Sequence, residues 1–178
     1  NLRYNIISGT NVSVQKTNTN PTGALNIPAT VVNVGVTYSV TSISDNGFSN
    51  CPGLTSVDIP NTVTNIGINA FQFCAALTSI TLPNSITSIS NTLFYACSSL
   101  TSLVIPNSVT TIGSAAFFGC SNLSSVTIPN SVTLIGSQSF VNCSSLTSLT
   151  IPNSVTTIEN QAFRYCTGLT SVTVHWTT

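Results

Sequence analysis

The 178 residues include three Lys or Arg, three Asp or Glu and a single His, and the formal net charge is zero. Nucleic-acid binding needs a stripe of Lys and Arg that releases counterions, and the scattered Arg3, Lys16 and Arg164 cannot supply one. The same shortage argues against electrostatic attachment to a membrane, and no stretch reaches the ~18 apolar residues of a spanning segment. Thr, Ser and Asn make up most of the polar surface, which suits a secreted or cell-surface protein better than a cytosolic one kept soluble by charge. The chain begins at Asn1 without a Met, which reads as a mature or engineered fragment separated from its targeting segments.

In chain order, residues 1–39 form a segment of their own. Leu2, Tyr4 and Ile6 alternate with polar neighbours, as do Val12 and Val14, which predicts short strands. KTNTNPT, from Lys16 to Thr22, is a turn-rich connector. Ile27-Pro28 then anticipates the later Ile-Pro steps, but the next Cys comes nine residues later than the repeat would place it. The extra residues, VVNVGVTYS, predict a β-hairpin turning at Asn33–Gly35.

From Val40 a 23-residue register takes over. Cys51, Cys74, Cys97, Cys120, Cys143 and Cys166 recur at that interval, as do Leu54, Leu77, Leu100, Leu123, Leu146 and Leu169. Pro60, Pro83, Pro106, Pro129 and Pro152 keep the same beat. Self-similarity at such a period marks a solenoid, in which each repeat packs on its neighbours around one elongated core. Residues 40–178 therefore divide into a partial repeat (40–53), five full repeats (54–168) and a second partial repeat (169–178), preceded by the cap at 1–39. The last repeat stops after its strand, leaving an open edge. Continuation of the array beyond Thr178 is expected to cover it, with Trp176 packed locally.

The repeat starting at Leu100 shows the logic. Leu100, Leu103 and Ile105 point inward from a strand that Pro106 closes, since proline cannot donate to a ladder. Asn107 and Ser108 make a turn, with the Asn side chain capping its own turn. Val109 and Ile112 form a second inward segment, and Gly113 bends the chain. Ala116, Phe117 and Cys120 have the spacing of a single helical or 3₁₀ turn. Six rungs at ~4.8 Å each give a body on the order of 30 Å long. Phe48, Phe71, Phe94, Phe117, Phe140 and Phe163 stack in one column, and one repeat alone could not offset its own ordering entropy. The cysteines occupy another column. Adjacent rungs could bring their sulfurs within bridging range, but regular spacing and the burial preference of Cys favour a ladder of free thiols over disulfides. Without a Cys-x-x-Cys or a Cys/His cluster, metal binding is not expected.

The unit L-x-x-[VIL]-x-[IL]-P-N-x-[VI]-T-x-I-[GSE]-x-x-x-F-x-x-C resembles the BspA-like, or Treponema pallidum-type, leucine-rich repeat across residues 40–178. The N-terminal hairpin is similar to the lead-in found before such arrays. Ser90 and Glu159 depart from the usual Gly, and Leu93 and Ser139 from the usual Ala. The resemblance implies a β-dominated solenoid: a right-handed superhelix with short parallel strands, one helical or 3₁₀ turn per repeat and an N-terminal β-hairpin cap. It also implies an exported or surface-attached protein of the adhesin kind, and a family with no shared catalytic residues and no cofactor.

Function is sought on the outward strand positions. One hydroxyl column runs through Thr55, Thr78, Thr101, Ser124, Thr147 and Thr170, and its neighbour through Ser56, Ser79, Ser102, Ser125, Ser148 and Ser171. A third, Asp58, Thr81, Val104, Thr127, Thr150 and Thr173, varies at two rungs and is the expected seat of specificity. Solenoid sheets make extended binding faces, so a protein partner such as a host matrix or cell-surface protein is expected, with a glycan partner or a structural spacer as the alternatives. The bland reading is that Ser and Thr simply suit a solvated strand. Thr64, Thr87, Thr110, Thr133 and Thr156 would also suit ice binding, but no expected strand carries a T-x-T pair. Catalysis has little to work with. The only His, His175, sits in the last partial repeat and reads as end packing, no Gly-rich phosphate loop occurs, and Asp45 and Asp58 lie near each other in sequence while Glu159 is about four rungs away.

Overall fold

The computed structural model describes residues 2–175. The chain opens with β1 (Leu2–Ser8), β2 (Asn11–Lys16), β3 (Gly23–Asn26), β4 (Thr30–Asn33) and β5 (Val36–Ile43). Each later rung contributes a first strand and a two-residue second one: β6 (Leu54–Asp58) and β7 (Asn65–Ile66), then β8 (Ser79–Thr81) and β9 (Ser88–Ile89). They are followed by β10 (Ser102–Val104), β11 (Thr111–Ile112), β12 (Ser125–Thr127) and β13 (Leu134–Ile135). The last are β14 (Ser148–Ile151), β15 (Thr157–Ile158) and β16 (Ser171–Val174). All rung-to-rung pairing is parallel, with partners one repeat apart, such as Ile112 opposite both Ile89 and Ile135.

The antiparallel partners lie at the N-terminal end. β4 and β5 pair with Asn33 opposite Val36, leaving the two-residue turn Val34–Gly35 with φ of 48° and 77°. Two left-handed residues give a type I′ turn, whose twist matches the flanking strands. β1 pairs antiparallel with β2, β2 runs parallel to β5, and β5 continues to β7. β3 pairs parallel with β6. The N-terminal segment therefore shares both sheets with the array and covers its first rung. Trp176 lies outside the described residues.

The core consists of columns. The Phe rings stack along the axis at centroid separations of 5.6, 6.0, 5.5, 5.0 and 5.3 Å from Phe48 to Phe163, with planes within 20° of parallel. Leu54, Leu77, Leu100, Leu123 and Leu146 are fully buried. The six cysteines are free thiols, buried except for the half-buried Cys166. From Cys74 onward, each Sγ–H donates to the carbonyl of the Phe in the preceding rung, at 3.1–3.3 Å. A thiol is small and apolar enough for the core, and it still supplies a donor that alanine would lack.

The helical or 3₁₀ turn expected at Ala116–Cys120 is not formed. The segment is a run of turns that makes a third face of the solenoid. Every rung holds two left-handed residues four apart, for instance Ala115 (φ 52°) and Gly119 (φ 74°), or Thr92 (φ 54°) and Ala96 (φ 58°). That conformation interrupts any helix. Amide donors alternate: Ala115, Phe117 and Gly119 bond to Ser137, Ser139 and Val141 in the next rung, while Ala116, Phe118 and Cys120 close turns on Gly113, Ala115 and Phe117. The turn face is thus laced between rungs as a sheet is. Gly113 answers to close approach, because a Cβ there would lie 2.6–2.8 Å from Asn91 and from the Ile89 carbonyl.

Candidate binding faces

All ten strand residues singled out as partner-binding lie exposed on one face: Thr55, Asp58, Thr78, Thr81, Thr101, Val104, Ser124, Thr127, Thr147 and Thr150. Register sets Asp58 beside Thr81, Val104 beside Thr127, and Thr150 beside Thr173. At alternate rungs the first column differs from the other two in a way the sequence does not reveal. Thr78, Ser124 and Thr170 donate their hydroxyls to the carbonyls of Thr55, Thr101 and Thr147, at 3.1–3.2 Å. Those protons are committed to holding rungs together. Ser79, Thr81, Ser102, Ser125, Thr127, Ser148 and Thr150 make no side-chain hydrogen bond within the described residues, so their hydroxyls are free to act as donors and acceptors. Val104, 79% exposed, is an apolar spot between them.

This face is not one continuous sheet. β6 pairs with β8, β10 with β12 and β14 with β16, but neither β8 with β10 nor β12 with β14. The amide bonds from Thr78, Ser124 and Thr170 to the preceding Thr carbonyls fall inside those pairs. So do the bonds from Ser85 to the Val63 carbonyl (2.5 Å) and from Ser131 to the Val109 carbonyl (2.6 Å). On this face the rungs are therefore paired in twos, while the second sheet and the turn face run on across both gaps. At the two gaps lie shallow grooves of about 390 and 440 Å³. The first is lined by Ser79, Thr81, Asn84, Ser102, Val104 and Pro106. The second is lined by the matching Ser125, Thr127, Asn130, Ser148, Thr150 and Pro152, with His175 beside them. Nothing in the residues themselves explains why the gaps fall at these two junctions.

On the second sheet the Thr column is committed as well. Thr64, Thr110, Thr133 and Thr156 donate to the carbonyls of Thr41, Thr87, Thr110 and Thr133. At the Asn column, Asn61 Oδ1 accepts from the amide of Asn84 in the next rung, 3.0 Å away, rather than capping its own turn.

The turn face carries a feature that the sequence reading passed over. Six of the eight Phe form the core column, and the other two, Phe73 and Phe118, lie here with Tyr95 between them. Phe73 meets Tyr95 edge-on at 5.5 Å, and Tyr95 stacks on Phe118 at 4.7 Å. Farther along, the Arg164 guanidinium sits 4.4 Å over the Tyr165 ring. Phe73 and Tyr165 are 42% and 55% exposed and are both left-handed, at φ 59° and 60°. A bulky side chain in that region is an outlier, and these two have little burial to offset it. The signal was available in the sequence: the column Ser49, Gln72, Tyr95, Phe118, Val141, Arg164 changes at every rung, and the adjoining column Asn50, Phe73, Ala96, Gly119, Asn142, Tyr165 repeats only its Asn.

The few charges are largely absorbed by the scaffold. Asp45 accepts from the Ile68 amide at 2.8 Å and Glu159 from the Ser137 amide at 2.7 Å, while Lys16 donates to the Ser49 carbonyl. The thiol column is poorly suited to nucleophilic chemistry, which needs the thiolate. Burial pushes the Cys97 thiol up to about 12 and raises Cys120 and Cys143 as well. Cys51 is lowered, first by the neighbouring Cys74 thiol and then by Lys16, but it is fully buried.

The family model described as BspA type leucine rich repeat region matches residues 41–170, with six copies. Among solved structures, the T. pallidum leucine-rich repeat protein superposes with a TM-score of 0.87 at 28% identity, over 97% of this chain and 78% of that one. A leucine-rich cell surface protein from Faecalibacterium prausnitzii gives 0.73 at 31% identity, over 97% and 52%. The pneumococcal vaccine antigen PcpA gives 0.71 at 21% identity, over 97% and 46%, a likeness of fold alone. The chain thus spans about half the length of the latter two. A search of the curated proteins finds no match.

Proposed function

Since the chain belongs to the BspA-type leucine-rich repeat family, we propose that it is a non-catalytic adhesion module of an exported or cell-surface protein that engages a protein partner. The observation that carries this reading is the row of uncommitted hydroxyls and the exposed Val104 along one face of a rigid stack. A surface whose backbone is already ordered by the stack loses little backbone entropy on binding, so many modest contacts can add up. The column Asp58, Thr81, Val104, Thr127 and Thr150 is where rungs differ on that face, at Asp58 and at Val104. The aromatic row supports a protein partner in particular, because Tyr, Phe and Arg are enriched among interface anchors. The cell-surface description of the F. prausnitzii neighbour supports the assignment of place.

Surface plasmon resonance against a panel of extracellular-matrix proteins tests the reading. Contacts between uncharged groups should leave affinity nearly constant between about 0.05 and 0.5 M salt. A steep loss of binding across that range would overturn the proposed surface, and so would a blank panel.

A further inference from the structure

The two grooves in the hydroxyl face are chemically the same site written twice. Ser79, Asn84 and Ser102 in the first correspond to Ser125, Asn130 and Ser148 in the second, 46 residues on. Both lie where strand pairing between rungs lapses, alongside the free hydroxyls of Ser79 and Ser102 or Ser125 and Ser148. The proline rings and the exposed Val104 or the Thr150 methyl add apolar contact. Neither groove is lined by Asp, Glu, Lys or Arg. A charged ligand would find no counter-charge. A ligand dense in neutral hydroxyls with C–H faces finds a partner for each kind of group.

The spacing narrows the class. The grooves are two rungs apart, about 9.6 Å at ~4.8 Å per rung. A ligand laid along the stack meets the same groups again after that distance, so it should itself repeat over that length. An extended β-1,4-linked hexose chain turns every second sugar over and repeats at nearly that interval. We infer that the grooves between β8 and β10 and between β12 and β14 form a two-subsite cradle for a neutral, extended β-1,4-linked glycan chain lying along the solenoid axis. This rests on the reading of this face as the contact surface and adds what the face recognises: the glycan carried by, or surrounding, the protein partner.

Calorimetric titration with cellohexaose, β-1,4-mannohexaose and chitohexaose, each beside its disaccharide, tests the cradle. A hexaose that reaches both grooves should bind at least about tenfold more tightly than its disaccharide, which fills one. Ser102→Leu/Ser148→Leu places a side chain in each groove at exposed strand positions and should reduce hexaose affinity about tenfold or more. Ser88→Leu/Thr157→Leu, on the other sheet, should leave it unchanged. Absence of binding by all three hexaoses at millimolar concentration would overturn the inference, as would equal hexaose and disaccharide affinities or binding indifferent to the groove variants. If the matrix panel still yields a partner and its enzymatic deglycosylation changes nothing, the cradle fails while the adhesion reading stands.

Discussion

Phe117→Ala tests the columnar core where it is most tightly built. The ring is fully buried and lies between Phe94 at 5.5 Å and Phe140 at 5.0 Å. Removing it deletes the buried ring and leaves a cavity in the middle of the stack, for which about 3–5 kcal/mol is the usual loss. The neighbours cannot collapse into the space, because the interlaced turn-face amides hold each rung at fixed spacing. The loss should therefore fall at the upper end of that range. Phe163→Ala, at the half-buried end with a single ring neighbour 5.3 Å away, should cost roughly half as much. In a domain of this size, 1 kcal/mol moves Tm by about 2–4 °C, so Phe117→Ala should lower it by roughly 8–20 °C. Urea and thermal unfolding followed by circular dichroism give both numbers. Equal, small losses for the two variants would refute a load shared through the Phe column.

Val34 is 94% exposed, β-branched and left-handed at φ 48°. Val34→Asn should create the Asn-Gly pair that a type I′ turn prefers and stabilise the fold by about 1 kcal/mol. A lower urea midpoint would contradict this. The buried thiols predict alkaline sensitivity. Cys97 titrates near 12 when folded, against 9.0 ordinarily. A group with a raised folded pKa contributes stability that is whole below its unfolded pKa and is lost as pH rises toward the folded value. Unfolding free energy should accordingly decline from about pH 9 to pH 12, and a thiol reagent at pH 8 should modify Cys97, Cys120 and Cys143 only on denaturation. A flat profile, or prompt modification of the native protein, would contradict the thiol ladder.

The core was legible in the sequence because each column repeats a residue type whose burial has one physical meaning. Leu100, Phe117 and Cys120 announce their neighbours 23 residues away, and VNVGV announces its turn. The turn face was legible only in part. Left-handed backbone is signalled by Gly and Asn, and Asn46, Asn50, Asn69, Asn142 and Gly119 carry that signal, but Ala115, Thr92, Phe73 and Tyr165 hold the equivalent positions without it, laced by hydrogen bonds between rungs. The binding columns were legible only as hydroxyls. Thr78 and Ser79 are neighbours of similar chemistry, and a single hydrogen bond to the Thr55 carbonyl makes one structural and leaves the other free. That distinction depends on where the preceding rung's carbonyl sits. The aromatic row went unread for a different reason: its residues occupy positions at which the repeat tolerates anything, so a search for regularity passes over them.

The most direct test of the account compares two sets of lysine substitutions in binding to the matrix protein selected by the panel. Thr81→Lys/Thr127→Lys/Thr150→Lys places charge on the face with free hydroxyls, and Asn65→Lys/Ser88→Lys/Thr157→Lys places the same charge at exposed positions of the second sheet. Affinity should fall about tenfold or more for the first set and stay within about twofold for the second. Equal losses, or a loss confined to the second set, would contradict the assignment of the hydroxyl face as the binding surface.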